Sequence, residues 1–352
     1  MTVDTDAVIK ALPLPAVLVD TAGRVAVANA GADALFGIDL TGRHHVAVLR
    51  QPDLLDSVDR VLSRGEGAEV RYRVRRGQSD QVFRVTVTPA GEGPPNAALL
   101  VFEDATPVEA AGQMRRDFVA NVSHELKTPL TAVLGFIETL RSTARDDPQA
   151  RERFLGIMER EAKRMNRLVS DLLSLSRVED EERMRPRQTV DLAPLLRRTL
   201  ATLKAVIEQA GSEIEIIEPG EPLPVPGDPD QLQQVMANLI ENALKYGRPR
   251  GKVTVRLCLP VQDDALGRPA ARIEVEDQGE GIDPIHLPRL TERFYRVDAH
   301  RSRSAGGTGL GLAIVKHIVN RHRGRLAIDS KPGEGSRFSI LLPAADPDAT
   351  AA

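Results

Sequence analysis

Three clusters of residues in this chain have the types and spacing to do chemistry. The first is Phe118-Val-Ala-Asn-Val-Ser-His124-Glu125-Leu-Lys-Thr128-Pro129-Leu. His124 falls between the apolar positions Val122 and Leu126, so its imidazole is expected beside a helical seam and within reach of solvent. Pro129 removes one backbone donor and crowds the carbonyl of Glu125, which predicts a bend just past the histidine. By itself such a residue reads more readily as a solvated helix histidine. The second cluster lies on a helix that opens with Asp228-Pro-Asp-Gln231, a capping sequence with proline at the first helical position. Asn238, Asn242 and Lys245 follow at helical spacing and share one face, where two amides and an ammonium can bind Mg²⁺ and phosphate oxygens or simply face water. The third cluster has two glycine-rich pieces. Asp277-Gln-Gly279-Glu-Gly281-Ile282 ends a strand with a carboxylate. That group accepts from the exocyclic amine of adenine and rejects the carbonyl guanine carries at the same place. Gly306-Gly307-Thr308-Gly309-Leu310-Gly311-Leu runs into a helix, where unpaired backbone donors and the helix dipole suit phosphates. The glycines do not have the dinucleotide-binding order. Each piece alone is a fair turn, but their order and spacing with the asparagine helix oppose coincidence.

The elements that must position these residues are legible in the hydrophobic period. From Leu14 to about Phe102 short alternating runs (Val17-Leu-Val, Val25-Ala-Val, Phe83-Arg-Val-Thr-Val and Ala98 to Phe102) are broken by turn residues, with Gly91-Glu-Gly-Pro-Pro95 as a hairpin loop. This predicts a small sheet-rich domain. From Val108 the period changes to that of a helix, with Phe118, Val122, Leu126, Leu130, Val133, Ile137 and Leu140 on one seam. After Arg145-Asp-Asp-Pro148 a second helix repeats the pattern through Phe154, Ile157, Met158, Met165, Leu168, Leu172 and Leu175. The pair forms an antiparallel hairpin that cannot cover both its seams alone, so a second copy completing a four-helix bundle, and hence a homodimer, is expected. Glu179 to Pro186 is short and charged and suits a linker. Beyond it, helices over 192–209, 229–246 and 313–321 alternate with strands over 252–259, 271–276, 325–329 and 336–342, an α/β sandwich. The expected division is 1–108, 109–183 and 184–347.

Composition bounds the function. With 352 residues the chain holds more than one core, and a net charge of −3 with mixed signs argues against nucleic acid as a partner. Cys258 is the single cysteine, so no intrachain disulfide forms and a reducing cytoplasm is compatible; a small buried strand residue is the expected role. No run approaches the length of a membrane span, and Met1-Thr-Val-Asp-Thr-Asp lacks the marks of a secretory signal. A cytoplasmic location is expected, with any membrane association supplied by a partner or a segment outside this sequence. His44 and His45 are adjacent in an apparent loop and read as surface histidines.

Together these motifs resemble those of the sensor histidine kinases of two-component systems. Ser123-His-Glu-Leu-Lys-Thr-Pro-Leu130 is similar to the H box, whose histidine is the phospho-acceptor. Asn238-Leu-Ile-Glu-Asn242-Ala-Leu-Lys245-Tyr246 resembles the N box, Asp277 to Gly281 the first glycine box, Glu292-Arg-Phe-Tyr-Arg296 the F box and Gly307 to Leu312 the second glycine box. The leading domain is similar to PAS modules through Leu18-Val-Asp, Gly23-Arg, Asn29-Ala and Leu35-Phe-Gly37, and Gly135-Phe-Ile-Glu-Thr-Leu140 is most like the phosphate-regulon type of sensor.

The resemblance implies a multidomain α+β protein: a PAS-like α/β domain, a helical hairpin dimerising into a four-helix bundle, and a Bergerat-type (GHKL) sandwich binding ATP and Mg²⁺. It implies Asp277 on adenine, Tyr246 near the base, and Asn238, Asn242 and Lys245 on metal and phosphates, with the two asparagines as the metal candidates. Gly307, Gly309 and Gly311 would form the hinge of a lid over the triphosphate, Gly279, Gly281, Ile282, Thr308 and Leu310 are further nucleotide-binding candidates, and Arg296 would bring positive charge to the transferring group. Glu125 would orient His124 and take its proton, and Thr128, in an E-x-x-T pattern, would orient a water for dephosphorylating the response regulator. An ATPase of the Bergerat type without a phosphohistidine, and a scaffold or phosphatase-only sensor, are the competing readings; His124 in its box opposes the first and the full set of ATP motifs the second.

Overall fold

The computed structural model describes residues 5–76, 79–91, 97–182, 184–298 and 307–345. They form two compact units, 1–119 and 120–352.

In the first unit, β1 (Ala16–Asp20), β2 (Val25–Ala28), β3 (Ala68–Arg76), β4 (Ser79–Ala90) and β5 (Ala97–Asp104) make one antiparallel sheet in the order β2-β1-β5-β4-β3. Alternate residues of β5 are buried, as the period of a strand requires. One face packs Val17, Val19, Val85, Val87, Leu100 and Phe102 under α2 (Ala30–Phe36), α3 (His45–Leu49) and α4 (Pro52–Arg64). The other face packs Ala16, Leu18 and Val27 against Ile9 of α1 (Thr5–Ala11). Asn29 ties this together: its Oδ1 accepts from Ala32 N at 2.9 Å as the N-cap of α2 and from Ala16 N at 3.0 Å, while Nδ2 donates to the carbonyls of Leu12 and Leu14. Residues 92–95 of the expected loop before β5 lie outside the described residues.

The surface-histidine expectation holds for His44 and fails for His45, which opens α3 and is only 3 % exposed. Its Nδ1 meets the Gly23 carbonyl at 2.8 Å, and its ring stacks on His44 with centroids 4.8 Å apart. A buried ring needs such a partner, and nothing in the local sequence announces it.

The second unit begins within α5 (Thr106–Arg141), which stays helical through Pro129. It pairs with α6 (Pro148–Glu181), whose N-cap Asp147 accepts from the N–H groups of Gln149 and Ala150. Phe136 and Phe154 stack across the hairpin at 5.1 Å, but Leu130, Leu134, Leu155, Val169 and Leu173 remain exposed. Next come a short ladder of β6 (Thr189–Asp191) with β8 (Pro224–Pro226) and a five-stranded sheet ordered β11-β12-β10-β9-β7. The sheet strands are β7 (Glu213–Ile217), β9 (Lys252–Asp263), β10 (Arg268–Asp277), β11 (Arg325–Lys331) and β12 (Gly335–Pro343); β7 runs parallel to β9 and the other pairs are antiparallel. Packed with it are α8 (Pro229–Tyr246) and α9 (Gly311–Arg321), and α7 (Leu192–Ala210) packs against α8. α8 buries Leu232, Val235, Met236, Leu239, Ile240 and Ala243, one apolar face at helical period. Cys258 sits half-buried on β9.

The charged stretch after Ser176 is a helix end, not a plain linker. α6 runs to Glu181, and its carboxylates meet α9: Glu182 accepts from His317 Nδ1 at 3.0 Å, and Glu181 pairs with Arg321 at 3.0 Å. Glu179 also pairs with Arg293 at 2.5 Å. Among the described residues no helix is long and apolar enough to cross a membrane.

Candidate functional site

The second unit holds a cavity of about 430 Å³, a size that suits a nucleotide. α8 contributes Asn238, Glu241, Asn242, Lys245 and Tyr246 to its wall. The helix is fixed at its start by Asp228, which accepts from the N–H groups of Asp230 and Gln231, so the register of these side chains follows from the cap. Lys245 pairs with Glu241 one turn earlier at 3.0 Å.

Asp277 ends β10 and is 5 % exposed. Burial pushes its carboxyl above the ordinary range, against the bond it accepts from Gly279 N at 2.8 Å. Gly279 is obligatory there, since a Cβ would stand 2.5 Å from Tyr246 O. Gly281 takes φ 70°, and a Cβ on it would collide with the Lys331 carbonyl. Ile282 N donates to Ser330 Oγ at 2.9 Å, which ties this loop to β11.

The opposite wall is Leu290, Tyr295, Arg296 and the second glycine box. Gly309, at φ 75°, backs onto Phe294 so closely that a Cβ would sit 2.9 Å from the Phe294 Cα. Gly309 O accepts from Phe294 N at 2.8 Å. Leu310 N donates to Thr308 Oγ1 at 3.3 Å, and Asn238 Nδ2 donates to Gly311 O at 3.4 Å. Asn238, Asn242, Lys245, Tyr246, Asp277, Gly281, Ile282, Arg296, Gly307, Thr308, Gly309 and Gly311 therefore line one space, although 73 residues separate Asn238 from Gly311. Gly279 and the buried Leu310 shape its walls from behind. Gly306 lies outside the described residues.

The three hairpin residues stand at one site on α5. His124 is exposed, Thr128 Oγ1 donates to the His124 carbonyl at 3.1 Å, and the oxygens of Glu125 are engaged by arginines. Arg164 of α6 reaches Glu125 Oε2 at 2.6 Å, and Arg296 reaches both carboxylate oxygens at 3.3 and 3.2 Å, a two-pronged pair. Arg296 also donates to Gly307 O at 2.8 Å. The residue beside the histidine is thus joined to the edge of the cavity.

Sequence reasoning missed the share of α6 in the cavity: Arg167, Ser170 and Asp171 line it too. Thr308 Oγ1 donates to Asp171 Oδ2 at 2.7 Å, and burial raises the Asp171 carboxyl. These residues occupy ordinary polar positions between seam residues, so no local signal marks them.

The donor set fits a magnesium nucleotide. Arg296 Nε is buried with no hydrogen-bond partner among the described residues, a donor that an added phosphate oxygen would satisfy. With its amide nitrogen given to Gly311, Asn238 has its oxygen left for a hard cation. Among the described residues no group of three His, Cys, Asp or Glu could hold a metal by itself.

Three family models match successive parts of the chain. They are the PAS fold over 9–110, the His Kinase A (phospho-acceptor) domain over 114–181, and the histidine kinase-, DNA gyrase B- and HSP90-like ATPase over 227–346. The phosphate regulon sensor protein PhoR of Pseudomonas aeruginosa is 41% identical over 68% of this chain and 53% of its own length. The sensor-like histidine kinase SenX3 of Mycobacterium bovis is 34% identical over 96% of this chain and 79% of its own. The chain spans about half the length of most of the curated relatives it matches. The crystal structure of histidine kinase ThkA in complex with response regulator protein TrrA matches with a TM-score of 0.52 at 19% identity, over 97% of this chain and 99% of that one, a likeness of fold. With a helical hairpin that matches the His Kinase A domain, a cavity of nucleotide size and a relative matched over nearly the whole chain, the protein belongs to the sensor histidine kinases, built from a PAS domain, a His Kinase A hairpin and an ATPase sandwich.

Proposed function

We propose that the protein phosphorylates itself on His124 with ATP, passes the phosphoryl group to an aspartate of a partner response regulator, and also dephosphorylates that partner. The observation that carries this reading is the cavity itself, in which the asparagine face of α8, Asp277, the second glycine box and Arg296 converge, with Arg296 reaching the residue next to His124. In this reading the parts at 1–108, 109–183 and 184–347 sense, accept and donate respectively.

Asp277 accepts from the adenine amine, and Tyr246 packs near the base. Asn238, Asn242 and Lys245 face the phosphates. Bound Mg²⁺, held by the amide oxygens of Asn238 and Asn242 together with the phosphates, would supply neutralising charge. Phosphoryl transfer depends on alignment and charge more than on covalent help, and this residue set provides both. A lone pair of the His124 ring attacks the terminal phosphorus: the P–N bond forms, the bond to the bridging oxygen breaks, ADP leaves, and the ring N–H proton passes to Glu125. Arg296, now on Glu125, would turn to the transferring group and so leave the carboxylate more basic at the moment it must take a proton. The exposed apolar residues of the hairpin, Leu130, Leu134, Leu155, Val169 and Leu173, suit a second copy, giving a homodimer. The reading places the protein where ATP is, in the cytoplasm, and the 41% relative supports phosphate limitation as the signal, with another nutrient or stress signal as the alternative pathway.

Incubation with γ-labelled ATP and Mg²⁺ tests the core of this reading. An acid-labile, alkali-stable adduct on the protein is expected; release of free phosphate without an adduct would instead favour a simple ATPase. Phosphoryl acceptance profiled across purified response regulators identifies the pathway.

A further inference from the structure

Two groups of the nucleotide site, Arg296 of the transferring-group reading and Thr308 of the second glycine box, are held by hairpin carboxylates. Arg296 is on Glu125, and Thr308 donates to Asp171 at 2.7 Å. Asp171 belongs to α6, 137 residues from Thr308, and its carboxylate lies in the field of Lys245 and Glu241 from α8 and of Arg167 from its own helix. The reading also points Lys245 at the phosphates, so Asp171 is placed where phosphate oxygens would be welcome. A carboxylate and a phosphate carry the same sign of charge and accept from the same donors.

We propose that Asp171 is a positioning residue of the phosphoryl-transfer site: it stands in for a phosphate, pins the second glycine box through Thr308, and must be displaced or tolerated by an incoming triphosphate. Nucleotide affinity is then set by the hairpin as well as by the catalytic lobe. The pairs Glu179–Arg293, Glu181–Arg321 and Glu182–His317 hold the end of α6 against that lobe, which keeps Asp171 in place. By linkage, occupation of the site by a triphosphate loosens the hairpin, and docking of the hairpin weakens the triphosphate.

The inference rests on the cavity being the ATP site, and calorimetry on the full chain separates the two. Asp171→Asn keeps an acceptor for Thr308 and removes the charge; Asp171→Ala removes both. Kd is measured for ATP with Mg²⁺ and for adenosine, which carries no phosphate. Removing one like charge a few ångströms from the phosphates should tighten ATP about fivefold in Asp171→Asn and at least as much in Asp171→Ala. Adenosine should shift less than about twofold. In labelling assays Asp171→Asn should lower KM for ATP by about the same factor and move kcat less than KM, a split that general loosening would not give. Unchanged ATP affinity in both variants, or equal tightening of adenosine, overturns the stand-in. If the unaltered chain binds no ATP, the nucleotide reading falls and this inference with it.

Discussion

His124 and His322 carry the same imidazole in opposite circumstances. His124 lies exposed on a hairpin helix. His322 closes α9 and is 1 % exposed, with both ring nitrogens committed: Nδ1 donates to Ile318 O at 2.7 Å and Nε2 accepts from Asp228 N at 3.0 Å. That pattern fixes one neutral tautomer. Burial, helped by the neighbouring Arg321, holds His322 below the ordinary histidine range. Through Asp228 the ring also secures the cap of α8, and so the register of Asn238, Asn242 and Lys245. A ring spent on both nitrogens can only support; a ring on an open helix face can meet a phosphorus atom. His45 stands between the two: it is buried with Nδ1 on the Gly23 carbonyl, while Nε2 has no hydrogen-bond partner among the described residues.

The contrast can be broken by experiment. His124→Gln should abolish the acid-labile label, a fall of at least about 10³-fold, and leave the thermal unfolding transition in place because the residue is exposed. Persistent labelling in that variant would remove His124 from the chemistry. His322→Ala should do the reverse. It strands the Asp228 N–H and the Ile318 carbonyl and opens a cavity, costing about 2–3 kcal/mol in urea unfolding, while the folded fraction still labels at His124. If His322→Ala leaves stability intact but stops labelling, the assignment of roles is wrong.

Thr128→Ala sharpens the comparison within the hairpin. Among the described residues its hydroxyl bonds only the backbone of His124, so autophosphorylation should persist while phosphatase activity toward the response regulator falls about tenfold. Equal loss of both activities would make Thr128 a support for the histidine.

The smallest effect concerns pH. The folded-state pKa of His322 is depressed, so the unfolded chain takes up the proton first as pH falls. The stability that neutral His322 contributes is full above its unfolded value, about 6.5, and diminishes as pH falls from there toward the folded value. The gap in unfolding free energy between the natural chain and His322→Ala should therefore narrow between pH 7.5 and 5.5. Taking the difference cancels the carboxyls of Asp171 and Asp277, which are raised and act with the opposite sign. A gap that widens toward acid would refute the neutral, doubly bonded ring.

Much of the scaffold was readable because local rules and tertiary packing agree. The expected helix over 229–246 is α8 residue for residue, since a cap, an N1 proline and a single apolar face all point the same way. The strands around Asp277 were equally plain, though each extends past its apolar run where ladder partners continue it, as β9 does to Asp263. β3 escaped notice because Arg71, Arg73, Arg75 and Arg76 hide the alternation of Val70, Tyr72 and Val74, and only pairing with β4 reveals it. The acidic end of α6 reads as a linker because charge without apolar period says nothing about which cations will meet it.

The sequence by itself determined the chemistry on offer: a histidine beside a carboxylate on a seamed helix, amides and an ammonium on one helix face, and glycines wherever backbone must approach backbone. These are set within one turn or one strand, where spacing is geometry. Tertiary structure alone decided which histidine stays open, that Arg296 finds Glu125 across 171 residues, and that Asp171 of the hairpin reaches the glycine box. Such pairings depend on how separate elements dock, and no periodicity within a single element carries that information.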